Sequence, residues 1–259
     1  MIGLRTQERT ITSSARISAF IRSNLPLAPA PSVPEIVLHK AGPRSGLWRL
    51  AEMDEDFGTP YWAYEWGGGL ALARHILDHP QAVAGRVVLD LGAGSGIVAI
   101  AAAKSGAKRV IAADVDRYAI VAIDLNAAAN RVTVSASLGD LTSGAPPEVD
   151  IVLVGDLFYE AGLAVRVTSF LDHCIRSDID VLVGDPWRGF LPRSRLRLLA
   201  QYPGLDFGKS RQSRQSENAV FSFSCDEPES VLSEPVPDTI NGAVERTRTS
   251  TGCPASTSS

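Results

Sequence analysis

The sequence holds little of what metal, disulfide, membrane or nucleic-acid chemistry requires. Among its 259 residues are three cysteines, Cys174, Cys225 and Cys253, and four histidines, His39, His75, His79 and His173, none at metal-ligand spacing. Zinc sites and disulfide frameworks need clustered thiols and imidazoles, so no metal is expected, and the compartment is read as reducing, the cytoplasm. Long apolar runs are also missing: the stretch from Val98 to Ala103 is cut by Lys104, well short of the roughly 20 residues that cross a bilayer as a helix. Nor is there an excess of positive charge. Lys and Arg number 25 against 29 Asp and Glu, a formal net charge of -4, whereas binding along a phosphate backbone needs a basic surface that releases counterions. Neither a membrane nor a nucleic acid is expected as partner. Acidic residues are scarce only at the start, where "MIGLRTQERTITSSARISAFIRSN" carries Glu8 alone. That composition is also found in organelle presequences, but Ile17, Phe20 and Ile21 fit one face of a short helix packed on the domain, and this is the reading adopted.

What is present is apolar and periodic. With 45% hydrophobic residues the chain can bury a full core. After the first helix comes the proline-rich "LPLAPAPSVP", read as a connector, and then the strand "EIVLH", Glu35 to His39. From Arg86 onward, apolar runs such as "RVVLDLG", "RVIAAD", "VDIVLVGD" and "DVLVGDP" alternate with helical stretches, the last of them "RSRLRLLAQY". Strands that are apolar throughout and separated by helices specify a parallel sheet covered on both faces. The segments "GLDFGKS" and "AVFSFS" flank a polar stretch without a helix and predict an antiparallel pair on the C-terminal edge. The chain then divides into an N-terminal helix and connector (1–34), an α/β domain (35–225), and a tail (226–259) poor in apolar residues and expected to be disordered.

The segment "VLDLGAGSG", Val88 to Gly96, has the order strand, glycine turn, helix, with Gly92, Gly94 and Gly96 leaving room for a ligand near the backbone. A nicotinamide fingerprint needs glycine at position 97, which is Ile97. Asp90 is out of place beside a pyrophosphate but suits a ligand carrying an ammonium. Asp114, closing "IAAD", stands where a carboxylate accepts from both ribose hydroxyls, and Asp140 with Leu141 stand where an adenine is bracketed. Together these residues describe an S-adenosylmethionine site, with Trp66 beside the glycines Gly67 to Gly69 at its methionine end. Asp116 and Asn126 are read as structural. Asp185, closing "VLVGD", is left open between substrate contact and loop architecture.

Several of these segments, taken in order, resemble a known family. "PEIVLHKAGPRSGLW", "PYWAYEWGGGLALARHIL", "VLDLGAGSGIVAIAAAKSGA", "AADVDRYAIVAIDLNAAAN", "VGDLFYE" and "VGDPWRGFL" are similar to the seven-β-strand lysine methyltransferases that modify the β subunit of electron transfer flavoprotein. The resemblance covers roughly Phe20 to Ser224. It implies a Rossmann-like class I methyltransferase fold with seven strands, S-adenosylmethionine as cofactor, and a protein substrate, the electron transfer flavoprotein β subunit. Gly67 departs from the family, which usually has proline there. In these enzymes a D-x-x-Y motif after the fourth strand faces the methyl donor and holds the incoming lysine, and Asp156 and Tyr159 match it. The resemblance thus implies catalytic roles for both. The alternative for Asp156, read from the residues alone, is a strand-end cap of the helix that starts near Ala161. The alternative functions are methylation of a ribosomal protein or of a small amine such as nicotinamide, and cofactor binding without catalysis.

Overall fold

The computed structural model describes residues 14–204 and 216–224. The first helix, α1 (residues 14–24), buries Ile17 and Ile21 against Trp62 and the face of a later helix that carries Tyr118, Ala122 and Leu125. Its apolar stripe therefore serves the domain, as the spacing of Ile17 and Ile21 predicts. The proline-rich segment after it is not merely a connector. Residues Leu27–Ala30 form β1, antiparallel to β2 (Val33–His39), so the expected boundary at residue 34 falls inside a hairpin. Proline is tolerated there because β1 is an edge strand that leaves one side unpaired. The connection is Pro31-Ser32, with Ser32 at φ +60°, the conformation a tight turn demands of its second central residue. Helix and hairpin belong to the same compact unit as the main sheet.

That sheet contains β3 (Val87–Leu91), β4 (Arg109–Asp114), β5 (Ser135–Leu138), β6 (Ile151–Gly155), β7 (Asp180–Asp185), β8 (Leu196–Gly204) and β9 (Ser216–Phe223), ordered β5-β4-β3-β6-β7-β9-β8. The pairs from β5 to β7 are parallel, and β9 runs antiparallel to both β7 and β8. This is the class I methyltransferase fold: seven strands, mostly parallel, with an antiparallel C-terminal edge. The edge differs from expectation in one respect. "RSRLRLLAQY" reads as the last helical stretch, yet it supplies most of β8, while "GLDFGKS" after Gly204, the last residue of that strand, lies outside the described residues, as does the tail from 226. In β8 most side chains are exposed, Leu198 and Leu199 among them, and from Leu199 to Gly204 exposed positions alternate only with half-buried ones, so its apolar residues do not mark a buried face.

Alternation along the inner strands divides the core. Val88, Leu153 and Leu182 face a layer containing α3 (Gly67–Asp78) and α4 (Ile97–Lys104), while Leu89, Val152, Val154 and Val183 face α6 (Ala161–Arg176). A short helix, α2 (Trp48–Met53), and α5 (Arg117–Ala129) complete the elements used below. Strand order reverses at β3, which pairs with β4 on one side and β6 on the other. In open parallel sheets ligands bind outside the carboxyl ends of the strands at such a point. The loops after β3, β4, β6 and β7 are therefore where a site is sought. No helix among the described residues is long and apolar enough to cross a membrane.

Candidate functional site

The loop after β3 is shaped by glycine. Gly92, Gly94 and Gly96 lie at φ +68°, +53° and +79°, a region open to glycine at no steric cost. The amides of Gly92 and Ala93 donate to the Ala113 carbonyl at 2.9 and 3.0 Å, which anchors the turn to the end of β4. The Gly94 N–H donates to Asp114 Oδ2 at 2.8 Å. The three glycines do different things. A Cβ at Gly92 would come within 2.6 Å of Leu157 and one at Gly96 within 3.2 Å of Ile123, whereas at Gly94 the nearest atom is the Trp62 Cα at 3.8 Å. Gly92 and Gly96 allow the chain to pack; Gly94 opens on free space. Asn126, read as structural, is fully buried and ties this loop to the hairpin, donating to Ser95 O and accepting from the His39 N–H, both at 2.8 Å. Asp116, read the same way, caps α5 by accepting from the Tyr118 N–H at 2.8 Å.

Two of the three acidic strand tips stand beside that loop, Asp90 buried and Asp114 half-buried. Asp90 is 1% exposed and accepts from the Ala99 N–H in the first turn of α4 at 2.9 Å. Burial pushes its pKa up to about 7, and the neighbouring Asp114 adds to the shift. Asp114 accepts from the Asp116 N–H at 2.9 Å as well as from Gly94, and burial raises its pKa too. Asp140 is different. It is exposed and opens the single turn Leu141–Ser143, accepting from the Thr142 hydroxyl and, at 2.9 Å, from its N–H, contacts that hold its pKa low. Leu141 is half-buried against the α6 side of the core.

A cleft lies among these loops, lined by Trp66, Gly69, Asp90, Gly92, Gly94 and Asp156 together with neighbouring backbone. Asp114 reaches it through its bond to Gly94, and Gly96, Asp140, Leu141 and Tyr159 stand outside its lining. Glycine space at Gly94, the buried Asp90 and the half-buried Asp114 match in kind what S-adenosylmethionine needs: room against a backbone, and acceptors for an ammonium and for ribose hydroxyls.

Asp156 ends β6 in the left-handed region, φ +57°, which Asp tolerates better than most residues. This turn aims its carboxylate across the cleft. Oδ2 accepts from the Gly69 N–H at 2.7 Å, in the first turn of α3, and Oδ1 from Arg188 Nη2 at 2.7 Å. Helix α6 is capped by Glu160, which accepts from Gly162 N and Leu163 N at 2.8 and 3.0 Å, so Asp156 does not cap it. Asp156 meets the positive end of another helix, α3. Tyr159 is 46% exposed, its ring centroid 5.6 Å from that of Tyr61; Tyr61 lies 5.6 Å from Trp66, edge to face. Burial raises the Tyr159 phenol pKa. Trp66 donates its indole N–H to Tyr61 O at 2.9 Å. Aromatic surface thus runs from the cleft to its rim.

Other participants escape a reading of the sequence. Gly68 and Gly184 are in backbone contact, since a Cβ on either would sit 2.2 Å from the carbonyl oxygen of the other, and a Cβ on Gly155 would reach the Gly69 Cα at 3.2 Å. This contact lets α3 lie close enough for its amide to reach Asp156. Its signal was available: the pentapeptide VLVGD occurs at Val152–Asp156 and again at Val181–Asp185, and the two copies pair in register with Gly155 opposite Gly184. Asp185 is fully buried and accepts from the Arg188 backbone N–H at 2.6 Å, which fits loop architecture. Arg188 lies in "VGDPWRGFL", one of the segments that resemble the family, and reads as one of several arginines open to an acidic partner surface; nothing near it in the chain says that it faces Asp156.

Residues 72–157 match the family model described as ribosomal protein L11 methyltransferase (PrmA). At 37% identity over 218 residues, covering 82% of this chain and 89% of the relative, the chain is similar to an electron transfer flavoprotein beta subunit lysine methyltransferase of Xenopus laevis. The protein of the same name from Homo sapiens is 36% identical over 214 residues, covering 80% and 82%. A solved ribosomal protein L11 methylase from Lactobacillus delbrueckii subsp. bulgaricus is similar at TM-score 0.45 and 22% identity, over 62% of this chain and 81% of that one, too distant a likeness to carry argument.

Proposed function

The chain belongs to the electron transfer flavoprotein β subunit lysine methyltransferase family, and on that premise we propose that its own substrate is the electron transfer flavoprotein β subunit, met in the cytoplasm. It is an S-adenosylmethionine-dependent protein-lysine N-methyltransferase. Bound S-adenosylmethionine supplies a methyl group activated by a positive sulfur. We assign the glycine turn, with Gly94 foremost, to its backbone-facing side, Asp90 and Trp66 to the methionine end, Asp114 to the ribose, and Asp140 with Leu141 to the adenine.

Asp156 and Tyr159 are assigned to the incoming lysine. The observation that carries this reading is the place of the Asp156 carboxylate, at the wall of the glycine cleft and 9% exposed. Methyl transfer needs an amine whose lone pair is aimed, and an acceptor held by Gly69 and Arg188 cannot wander while it aims that lone pair. The aromatic surface of Trp66, Tyr61 and Tyr159 suits the aliphatic stem of lysine. Incubation with labelled methyl donor and the purified β subunit, followed by peptide mass spectrometry, tests the reading. Methylation on lysine is expected. Absence of label on the subunit, with label on ribosomal protein L11 in a parallel reaction, would transfer the assignment to that substrate.

A further inference from the structure

The Asp156 carboxylate is not waiting as a bare anion. Its Oδ1 receives Arg188 Nη2 at 2.7 Å, and the side chains of the pair are only 10% and 16% exposed, so solvent screens their charges weakly. The Arg188 guanidinium also lies over the Trp66 ring, 5.5 Å from its centroid, and its backbone N–H is held by Asp185 at 2.6 Å. Two loops and an indole therefore fix a cation beside the acceptor assigned to lysine. We infer that Arg188 is a positioning residue which, by neutralising Asp156, makes the site take its target lysine as the free amine instead of as the ammonium.

This inference rests on the lysine-methyltransferase reading and on Asp156 as its acceptor. Only the unprotonated nitrogen has a lone pair to give. On entry the Nζ–H bond of the ammonium breaks, the electron pair stays on nitrogen and the proton passes to bulk water. A lone carboxylate would oppose that loss, because an anion stabilises the ammonium. With Arg188 in place Asp156 still offers an acceptor oxygen, but its attraction for a cation is offset. Among the described residues, other charged or titratable groups facing this corner are Asp90 near the end of β3, Asp114 at the end of β4, Glu65 before α3, the Tyr61 and Tyr159 phenols, and Asp185 closing β7. Glu65 is compensated by Lys40 at 2.8 Å, and the positive end of α3 adds to Arg188. Whatever their sum, deleting Arg188 makes the corner one unit more negative.

The test is the pH dependence of single-turnover methylation of the electron transfer flavoprotein β subunit at saturating methyl donor. In Arg188→Met the acidic limb should move to higher pH by about one to three units, the range over which a charge at this distance acts. Arg188→Lys, which keeps the charge and loses the fork, should restore the wild-type limb. Asp156→Asn should move it to lower pH, even though the rate falls. Without methyl donor, fluorescence anisotropy should show Arg188→Met binding the subunit better than wild type at low pH and no better at high pH. A limb for Arg188→Met that coincides with wild type, or moves to lower pH, overturns the inference; if that variant does not fold, an unmoved limb in Asp156→Asn overturns it. Wild-type enzyme inactive on the subunit at every pH overturns the substrate reading beneath it, a different result from an active enzyme whose limb stays in place.

Discussion

The loops after β3 and after β6 stand side by side on adjacent strands, yet they are built in opposite ways. The first is made of backbone: its left-handed glycines and the Gly94 amide bond to Asp114 are settled within a short stretch of chain, 20 residues for that bond and 9 for Asp90 to Ala99. The second is made of side chains gathered from afar, since Asp156 is held by Gly69, 87 residues away, and by Arg188, 32 residues away. The turn assigned to the cofactor is one that the chain forms locally. The corner assigned to the lysine exists only once α3 and the loop after β7 have packed.

The largest effect expected from breaking this contrast lies in the first loop. Gly94→Val puts a β-branched residue at φ +53°, where such residues are strained, and directs it into the space that the nearest atom, 3.8 Å from the Cβ position, leaves open. S-adenosylhomocysteine affinity should fall by more than about 1000-fold, or roughly 4 kcal/mol, as read by calorimetry. Affinity near that of wild type would remove the loop from the site.

Next is the second loop, where chemistry should suffer and cofactor binding should not. Asp156→Ala should lower methyl transfer by at least ~100-fold with little change in S-adenosylhomocysteine affinity. Because it takes the acceptor from the Gly69 N–H and removes the anion beside the Arg188 guanidinium in a poorly solvated corner, it should also cost about 2 to 4 kcal/mol of stability. Asp156→Asn, which keeps an acceptor for Gly69, should recover part of that stability in a urea titration. A variant that is as stable as wild type and turns over at its rate would place the acceptor elsewhere.

The same contrast decides what was legible in the sequence. The parallel sheet, the glycine turn, the acidic tips Asp90 and Asp114, and the helix bearing Ile17 and Ile21 are written in contiguous residues with a local physical cause, and each is where the pattern places it. The roles assigned to Asp156 and Tyr159 rest on a resemblance, because nothing near them in the chain says what they face. Arg188 and the Gly68–Gly184 contact depend on packing between distant segments. The errors of fold have the same origin: β1 hides among prolines that an edge strand tolerates, and β8, largely exposed, leaves Leu198 and Leu199 in solvent, so its apolar residues mark no buried face.

A smaller effect should appear at Asp90, as a function of pH. Its folded pKa of about 7 lies above the ordinary 3.8 because burial disfavours the anion. The folded state therefore holds the proton more tightly than the unfolded chain. That contribution to stability is complete below 3.8 and is lost as pH rises through about 7. Asp90→Asn keeps an oxygen for the Ala99 N–H and has no proton to lose. Relative to wild type it should gain about 1 to 3 kcal/mol between pH 4 and pH 8, measured as the difference in urea midpoints. A difference that does not change with pH would show that Asp90 is ionised throughout.

The smallest effect should come from Asp140, the acidic tip that the structure leaves exposed. Its carboxylate holds the Leu141–Ser143 turn through Thr142, and water competes for every bond it makes. Loss of such a capping contact costs about 0.5 to 1 kcal/mol, so Asp140→Ala should lower the melting temperature slightly. If this turn brackets an adenine, S-adenosylhomocysteine affinity should fall about three- to tenfold as well, through the lost acceptor and through a less fixed Leu141. Asp140→Asn should keep most of both, since it retains an oxygen for the Thr142 N–H. Calorimetry at matched pH separates the possibilities: a stability loss with cofactor affinity unchanged would leave Asp140 as a cap alone and move the adenine assignment to other residues, whereas an affinity loss approaching that of Gly94→Val would mean that the exposed tip closes over the ligand and is as much a part of the cofactor site as the buried glycine turn.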